Sequence, residues 1–466
     1  MKIKSFKNNL SGSVRVPGSK SHTIRALLLA AMADGSSHIK NPLPSADCLS
    51  TMKALPHFGA EVEIKKGDTP SSDEWIVKGA GPSFHLSDDV IDVGNSGSLL
   101  YFLSPIAATF DGWSVFTGDA SIRKRPVFHV VDALKQLGAL AYTRTPEEKG
   151  CPLIIKGPIS SEKKVTTTGA ISSQYISGLM MSAIRMKGIL QIDLTDPKET
   201  PYLLMTQDWL KKVGVECSIN EDFKHIEVKG GAQLKSFDTN IPSDWEAVAF
   251  PLLAAIISDS QIVIEGIDSS ASQGDQEIVS VFQKIGADIT WNKDESRLYV
   301  KGLKKSKDGL GRLTTENLPG KELHVAMSPF PDAICALAVA ACFTEGTTIL
   351  EDAAVCRRKE TDRIKVLKCE LEKLGAQIEE GEDFMIIHGH SPYLKDGSSN
   401  PAFSLHGGQV ESYDDHRVAM SLACLGLGLK DGESVTVNNA QCAWVSFPDF
   451  YKVMNGIGAG FSEVEE

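Results

Sequence analysis

Six short polar openings stand out in the chain: Lys20-Ser21, Asn95-Ser96-Gly97-Ser98, Ser172-Ser173-Gln174, Ser243-Asp244-Trp245-Glu246, Pro331-Asp332-Ala333 and Asp414-Asp415-His416-Arg417. Each precedes an apolar, Ala-rich stretch that reads as a helix. Ser, Asn and Asp are good N-caps, and Asp244 taken alone is adequately read as one. The set carries more than caps. Lys20, Arg25, His416 and Arg417 are cations near helix N-termini, where the macrodipole disfavours positive charge. A helix N-terminus lined by small polar residues offers free backbone N–H groups to a phosphate or carboxylate. The openings together therefore predict a ligand bearing several negative charges.

More cations lie in "RKRP" (Arg123, Lys124, Arg125) and "CRRKETDR" (Arg357, Arg358, Lys359, Arg363), the latter with Glu360 and Asp362 among them. Lys124 and Arg358 read as solvated. Lys359 and Arg363 are four apart and are expected on one helix face. Glu360 beside them is a carboxylate that neighbouring cations would keep ionised, a proton-transfer group among anion binders. Other motifs are weak. Gly94 and Gly97 do not make a P-loop, and no G-x-G-x-x-G follows a strand. His388-Gly389-His390 lacks a third ligand and reads as a strand end. Nine scattered cysteines without a C-x-x-C pair indicate neither a disulfide framework nor a zinc site, as in a reducing cytosol.

The elements that must position these groups repeat. An apolar residue, a glycine and then Ala or Val recur at Gly59, Gly138, Gly214, Gly286, Gly375 and Gly458. In phase with them, an Ala-rich helix pattern, a turn and a β-branched run appear six times, so the chain is six copies of a unit of roughly 80 residues. In the first copy the helix "SHTIRALLLAAMA" is expected to end with Gly35 at C′. A strand at "SHIKN", a helix from about Ala46 to Phe58 and a strand at "AEVEI" follow. Two groups of three units are expected, the second beginning near "TNIPSDWEA", where Pro242 breaks a strand. "KGLKKSKDGLGR" and "HSPYLKDGSSNP" read as solvated turns. A net charge of −12 argues against nucleic acid and anionic membranes as partners. The sequence has no signal-peptide h-region and no apolar run long enough to span a bilayer, so a cytoplasmic protein is expected.

The strings "VPGSKSHTIRALLLAA", "GNSGS", "GDASIRKRPV", "SSQYISG", "FPDAICALA", "RRKETDRI", "DDHRVAMS" and "SFPDF" resemble, in order and spacing, the 5-enolpyruvylshikimate-3-phosphate synthases. The resemblance implies an α/β, two-domain enolpyruvyl transferase fold, an inside-out α/β barrel of six βαβαββ repeats, three per domain. Its domains would be 19–242 and 1–18 with 243–466, with the active site in the interdomain cleft. It implies transfer of the carboxyvinyl group of phosphoenolpyruvate to the 5-hydroxyl of shikimate 3-phosphate. Lys20, Asn95, Gly97, Arg125, Gln174, Arg363 and Arg417 then match phosphoenolpyruvate contacts. Lys20, Ser21, Arg25, Ser172, Ser173, Gln174, Tyr202, Asp332 and Lys359 match shikimate 3-phosphate contacts. Asp332 and Glu360 match the proton-transfer carboxylates, with Lys20 and His416 close by. Both carboxylates are expected at a cleft rather than in a core, so that their loss spares the fold. A monomer without cofactor or metal is expected.

The chain departs from the family pattern at several positions. Val445 stands where a lysine is usual, Val355 where Asn is frequent, and Tyr101 where an arginine is frequent. Glu199 falls near a serine that helps bind substrate phosphate, and its charge would repel phosphate unless it turns away. The alternatives are a UDP-N-acetylglucosamine enolpyruvyltransferase, whose reactive cysteine "GDASIRKRP" lacks, and a ligand-binding paralogue with impaired catalysis.

Overall fold

The computed structural model describes residues 1–67, 73–145, 150–268, 273–303 and 312–464. Residues 304–311 of the expected basic turn lie outside them. Six helices open the six repeats: α1 (Lys20–Met32), α2 (Gly97–Ala107), α3 (Ser173–Ser182), α4 (Trp245–Ile256), α5 (Ile334–Cys342) and α6 (His416–Leu425). Their Ala, Leu, Val and Ile content favours helix and leaves no polar face, so they are buried nearly all round. Four start on a side-chain cap: Ser96 accepts from Leu99 N, Ser172 from Gln174 N, Asp244 from Glu246 N and Asp415 from Arg417 N. A 3₁₀ turn, Pro331–Ala333, leads into α5 instead.

Each of these helices feeds a strand with one parallel and one antiparallel neighbour. The six four-stranded sheets share one order. In the first repeat it is Asp238–Asn240, Asp34–Lys40, Glu74–Ala80, Glu61–Lys65. In the fourth it is Ser11–Arg15, Gln261–Glu265, Arg297–Lys301, Asp288–Asn292. Lys2–Phe6 sits inside the sixth sheet, between Ser434–Asn438 and Ser462–Val464. The chain divides into two compact units, Gly18–Pro242 and Met1–Pro17 with Ser243–Glu466. Each has its own core, with Trp75 and Phe102 in the first and Trp245 and Phe250 in the second.

The six repeat glycines end the second helical segment of each repeat with φ between 84° and 104°, the left-handed region that glycine enters without a Cβ clash. Gly35 behaves differently from expectation. α1 stops at Met32 with Ala33 as C-cap, and Gly35 (φ 98°) lies inside the strand Asp34–Lys40. The segment 390–401 is also more than a solvated turn. Ser391 is buried, and its N–H and the Asn400 amide both donate to Glu345. No helix among the described residues is long and apolar enough to cross a membrane.

Candidate functional site

In the unit containing 243–466, three cations converge on one carboxylate. The turn before α5 presents Asp332, whose Oδ1 meets Arg363 Nη1 at 2.5 Å and Arg417 Nε at 3.0 Å, and whose Oδ2 meets Lys359 Nζ at 3.3 Å. Arg363 is fully buried. It also donates to Glu360 Oε2 (2.7 Å) and, through Nε, to Asp415 Oδ2 (2.8 Å). Arg417 donates from Nη2 to Glu246, and its backbone N–H to Asp415. Thr361 Oγ1 donates to Asp415 as well. Burial pushes the Asp332 carboxyl up, but Lys359 and Arg363 outweigh it and hold it well below the usual carboxylate range. Burial pulls Arg363 down, and Asp415, Glu360 and Asp332 more than restore it, well above the ordinary arginine value.

One expectation needs correction. Lys359 and Arg363 do not share a helix. Lys359 follows the 3₁₀ segment Ala354–Arg358 as its C-cap, and the helix Arg363–Glu372 begins only after the cap Asp362. They face the same carboxylate because the chain folds between them. Asp332 is half-buried, and the buried Arg363 and Arg417 both meet it. Glu360 is far more accessible, with its side chain 31% exposed. His416 is buried at the first position of α6.

In the unit 18–242, Arg25 is buried without any ion-pair partner among the described residues. Its Nε donates to Thr206 Oγ1 (2.8 Å), Nη1 to the Ser21 carbonyl (2.9 Å), and Nη2 to the Tyr202 carbonyl (3.2 Å) and Ser177 Oγ (3.3 Å). The Phe102 ring lies 4.7 Å from the guanidinium carbon. Burial pulls its pKa down to about 9. Lys20, at the start of α1, is 4.0 Å from Asp47. Arg125 lies against the first residue of α2, since a Cβ on Gly97 would fall 1.6 Å from Arg125 Nη1. The half-buried Asn95 precedes that helix start. Gln174 Nε2 donates to Ser98 Oγ (3.0 Å), which links the openings of α3 and α2.

Glu199 does not turn away from the opening of α3. It is buried, and its Oε2 accepts from Ser173 N (2.8 Å) and Ser173 Oγ (3.0 Å). Tyr101 is buried too, and its hydroxyl donates to the Pro126 carbonyl (2.7 Å), tying α2 to the segment that carries Arg125. Val355 is buried and Val445 half-buried, each in a 3₁₀ turn. The histidines of the H-G-H string face hydroxyl and carboxylate partners, Thr347 and Glu379 for His388 and Glu345 for His390. No cluster of His, Cys, Asp and Glu able to hold a metal occurs among the described residues.

Sequence reasoning missed Asp415, Glu246 and Asp47 as partners of the cations. Asp415 and Glu246 stand in the helix openings, where a carboxylate reads as a cap or a dipole partner. Only folding reveals that they also face arginines 52 and 171 positions along the chain. Thr206 and Ser177, which hold Arg25, carried no signal.

The chain has counterparts among known proteins. A relative from Ruminiclostridium cellulolyticum, named 3-phosphoshikimate 1-carboxyvinyltransferase, is 36% identical over 458 residues, 98% of this chain and 99% of that one. One of the same name from Acetivibrio thermocellus is 36% identical over the full length of both chains. The structure of an EPSP synthase from Acinetobacter baumannii superposes with a TM-score of 0.76 at 26% identity, covering all of both chains. The model of the EPSP synthase (3-phosphoshikimate 1-carboxyvinyltransferase) family matches residues 5–454, and with these relatives it identifies the chain as a member of that family.

Proposed function

We propose that this chain transfers the carboxyvinyl group of phosphoenolpyruvate to the 5-hydroxyl of shikimate 3-phosphate, releasing phosphate. The step belongs to the shikimate pathway to chorismate and the aromatic amino acids. The observation that carries the mechanism is the ionised Asp332 among Lys359, Arg363 and Arg417. An ionised carboxylate accepts a proton, and here it serves the 5-hydroxyl as that oxygen bonds to the enol carbon of phosphoenolpyruvate. Glu360, accessible and held by Arg363, delivers in its protonated state a proton to the methylene carbon and takes one back from the new methyl group as the phosphate C–O bond breaks, and the leaving phosphate carries off the proton that Asp332 took from the hydroxyl. Arg363, Arg417, Lys20 and Arg125, with Gly97, Asn95 and Gln174, hold phosphoenolpyruvate. Paired N–H donors of arginine fix the orientation of a carboxylate or phosphate.

Shikimate 3-phosphate is held by Lys20, Ser21, Arg25, Ser172, Ser173, Gln174, Tyr202, Asp332 and Lys359. Arg25 fits this role because its buried charge has hydrogen-bond partners but no counter-ion among the described residues. Lys20 and His416 assist the chemistry. We assign the protein to the cytoplasm, as a monomer that needs no cofactor. The test is phosphate release with both substrates, with the enolpyruvyl product identified by mass spectrometry. Release that does not depend on shikimate 3-phosphate would sink the reading.

A further inference from the structure

We propose that Glu199 and Glu246 are resident counter-anions that the two substrates must displace, and that they thereby set substrate affinity. The inference rests on the transferase reading above.

The backbone N–H of Ser173, at the start of α3, is the kind of donor an anion seeks at a helix N-terminus. The chain's own carboxylate already occupies it, with Glu199 Oε2 on both Ser173 N and Ser173 Oγ. Glu199 adopts φ 51°, a left-handed conformation unfavourable for a residue with a long side chain, and is 3% exposed. A strained backbone that delivers a buried carboxylate to a donor pair is built for that contact. Ser173 is among the residues assigned to the acceptor, so an acceptor phosphate and Glu199 compete for one seat.

The second unit repeats the arrangement. Arg417, assigned to phosphoenolpyruvate, is 2% exposed and donates from Nη2 to Glu246, itself 7% exposed. Around Arg417 three cations, Lys359, Arg363 and Arg417, stand among four carboxylates, Asp332, Glu360, Asp415 and Glu246. An anionic substrate gains little from such a cluster until one carboxylate withdraws. Asp332 and Glu360 are assigned to proton transfer, and Asp415 caps α6 and anchors Arg363. Glu246 is the one left to yield. A tethered carboxylate competes at high effective concentration, and the apparent dissociation constant rises by the fraction of molecules whose seat is closed. In return, the Ser173 N–H and the Arg417 guanidinium each have an anionic partner before substrate arrives.

Glu199→Ser and Glu246→Ser test the idea, with Glu199→Gln and Glu246→Gln as size-conserving variants should the serine forms fail to fold. Glu199→Ser is expected to lower the KM for shikimate 3-phosphate by about tenfold and to leave that for phosphoenolpyruvate nearly unchanged, with the reverse for Glu246→Ser. Each variant should melt lower than wild type alone and gain more when its substrate is added. A purely structural role would lower melting without that extra gain. An unchanged or higher KM in folded variants overturns the inference while the transferase reading stands. If wild type shows no turnover, that reading falls instead. Calorimetric binding of inorganic phosphate then decides: tighter binding by the Glu199 and Glu246 variants supports displacement, and equal or weaker binding overturns it.

Discussion

Arg25 and Arg363 are both fully buried arginines assigned to anionic ligands, yet the two units hold them in opposite ways. Arg363 touches three carboxylates, and its charge is more than compensated. Arg25 touches hydroxyls, carbonyls and an aromatic face, and burial pulls its pKa down to about 9. A desolvated charge is costly unless opposite charge or good hydrogen bonds offset it. In the 243–466 unit the chain supplies that offset as carboxylates. Among the described residues Arg25 meets hydrogen-bond acceptors and the Phe102 ring but no carboxylate, which on the proposed reading leaves its charge for an anionic ligand to match. The same residue type is therefore held by the chain's own carboxylates in one unit and by neutral groups in the other, and on the proposed reading only the second depends on a ligand for its counter-charge.

The largest expected effect is at Asp332, where scaffold and chemistry coincide. Asp332→Asn removes the proton acceptor and a charge that three cations share, so turnover should fall by roughly 10²–10⁴. Glu360→Gln should lose turnover on a similar scale while keeping stability, because the Glu360 side chain is accessible. Denaturant titrations beside steady-state kinetics separate the two. Equal stability losses in both variants would break the distinction between them.

The comparison itself is tested by removing each arginine. Arg363→Met takes one cation each from Asp332, Asp415 and Glu360, and should cost about 3–5 kcal/mol, the usual loss when a buried pair is broken from one side. Arg25→Met also loses hydrogen bonds but relieves an uncompensated charge, and should cost about 1–2 kcal/mol. Urea unfolding of both variants gives the answer. Similar losses would mean that Arg25 is as much a scaffold residue as Arg363.

The scaffold was harder to read from sequence than the receptor. The repeat and the six openings are local patterns, and the six core helices begin at them. Arg25 and Arg417 were legible because cations at helix starts contradict the dipole, and Arg363 because it stands in a run of cations four residues from Lys359. Their partners were not. Asp415 and Glu246 agree with every local rule, so nothing in sequence marks them as ion-pair partners. Glu199 was noticed as a misplaced charge, but its direction depends on the φ of 51° that folding imposes. Charges that break local rules are visible in a sequence, and those that obey them while acting at long range are not.

The field of Arg25 can be sharpened through its neighbour. His22 accepts from Trp209 Nε1 at 3.0 Å, and burial, then Arg25, then Lys212 bring its pKa down to about 3. The unfolded value is near 6.5, so below that pH the unfolded chain takes up a proton that the folded one refuses. The stability that neutral His22 contributes is complete above pH 6.5 and is lost as pH falls towards 3, at about 1.4 kcal/mol per pH unit for one proton. Urea titrations between pH 6.5 and 4.5 should reveal this slope, and His22→Gln should flatten it. Arg25→Met should also raise the His22 pKa in an NMR titration. An unmoved resonance would mean that Arg25 is not felt as an uncompensated charge.

The smallest effect is expected at Gly97, where room rather than charge positions a cation. A methyl group there would overlap Arg125 Nη1, which lies at the flexible end of its side chain. Gly97→Ala should therefore leave α2 intact, with stability changed by less than about 1 kcal/mol, since Ala suits a helix better than Gly. The guanidinium must swing aside, and a weakened charge-assisted hydrogen bond of about 1.4 kcal/mol corresponds to a roughly tenfold higher KM for phosphoenolpyruvate. The KM for shikimate 3-phosphate should hold, because Arg25 and Ser173 do not adjoin Gly97 in the described hydrogen bonds. A rise in both constants would mean that the opening of α2 serves both ligands, and that the receptor unit binds them through one connected set of donors.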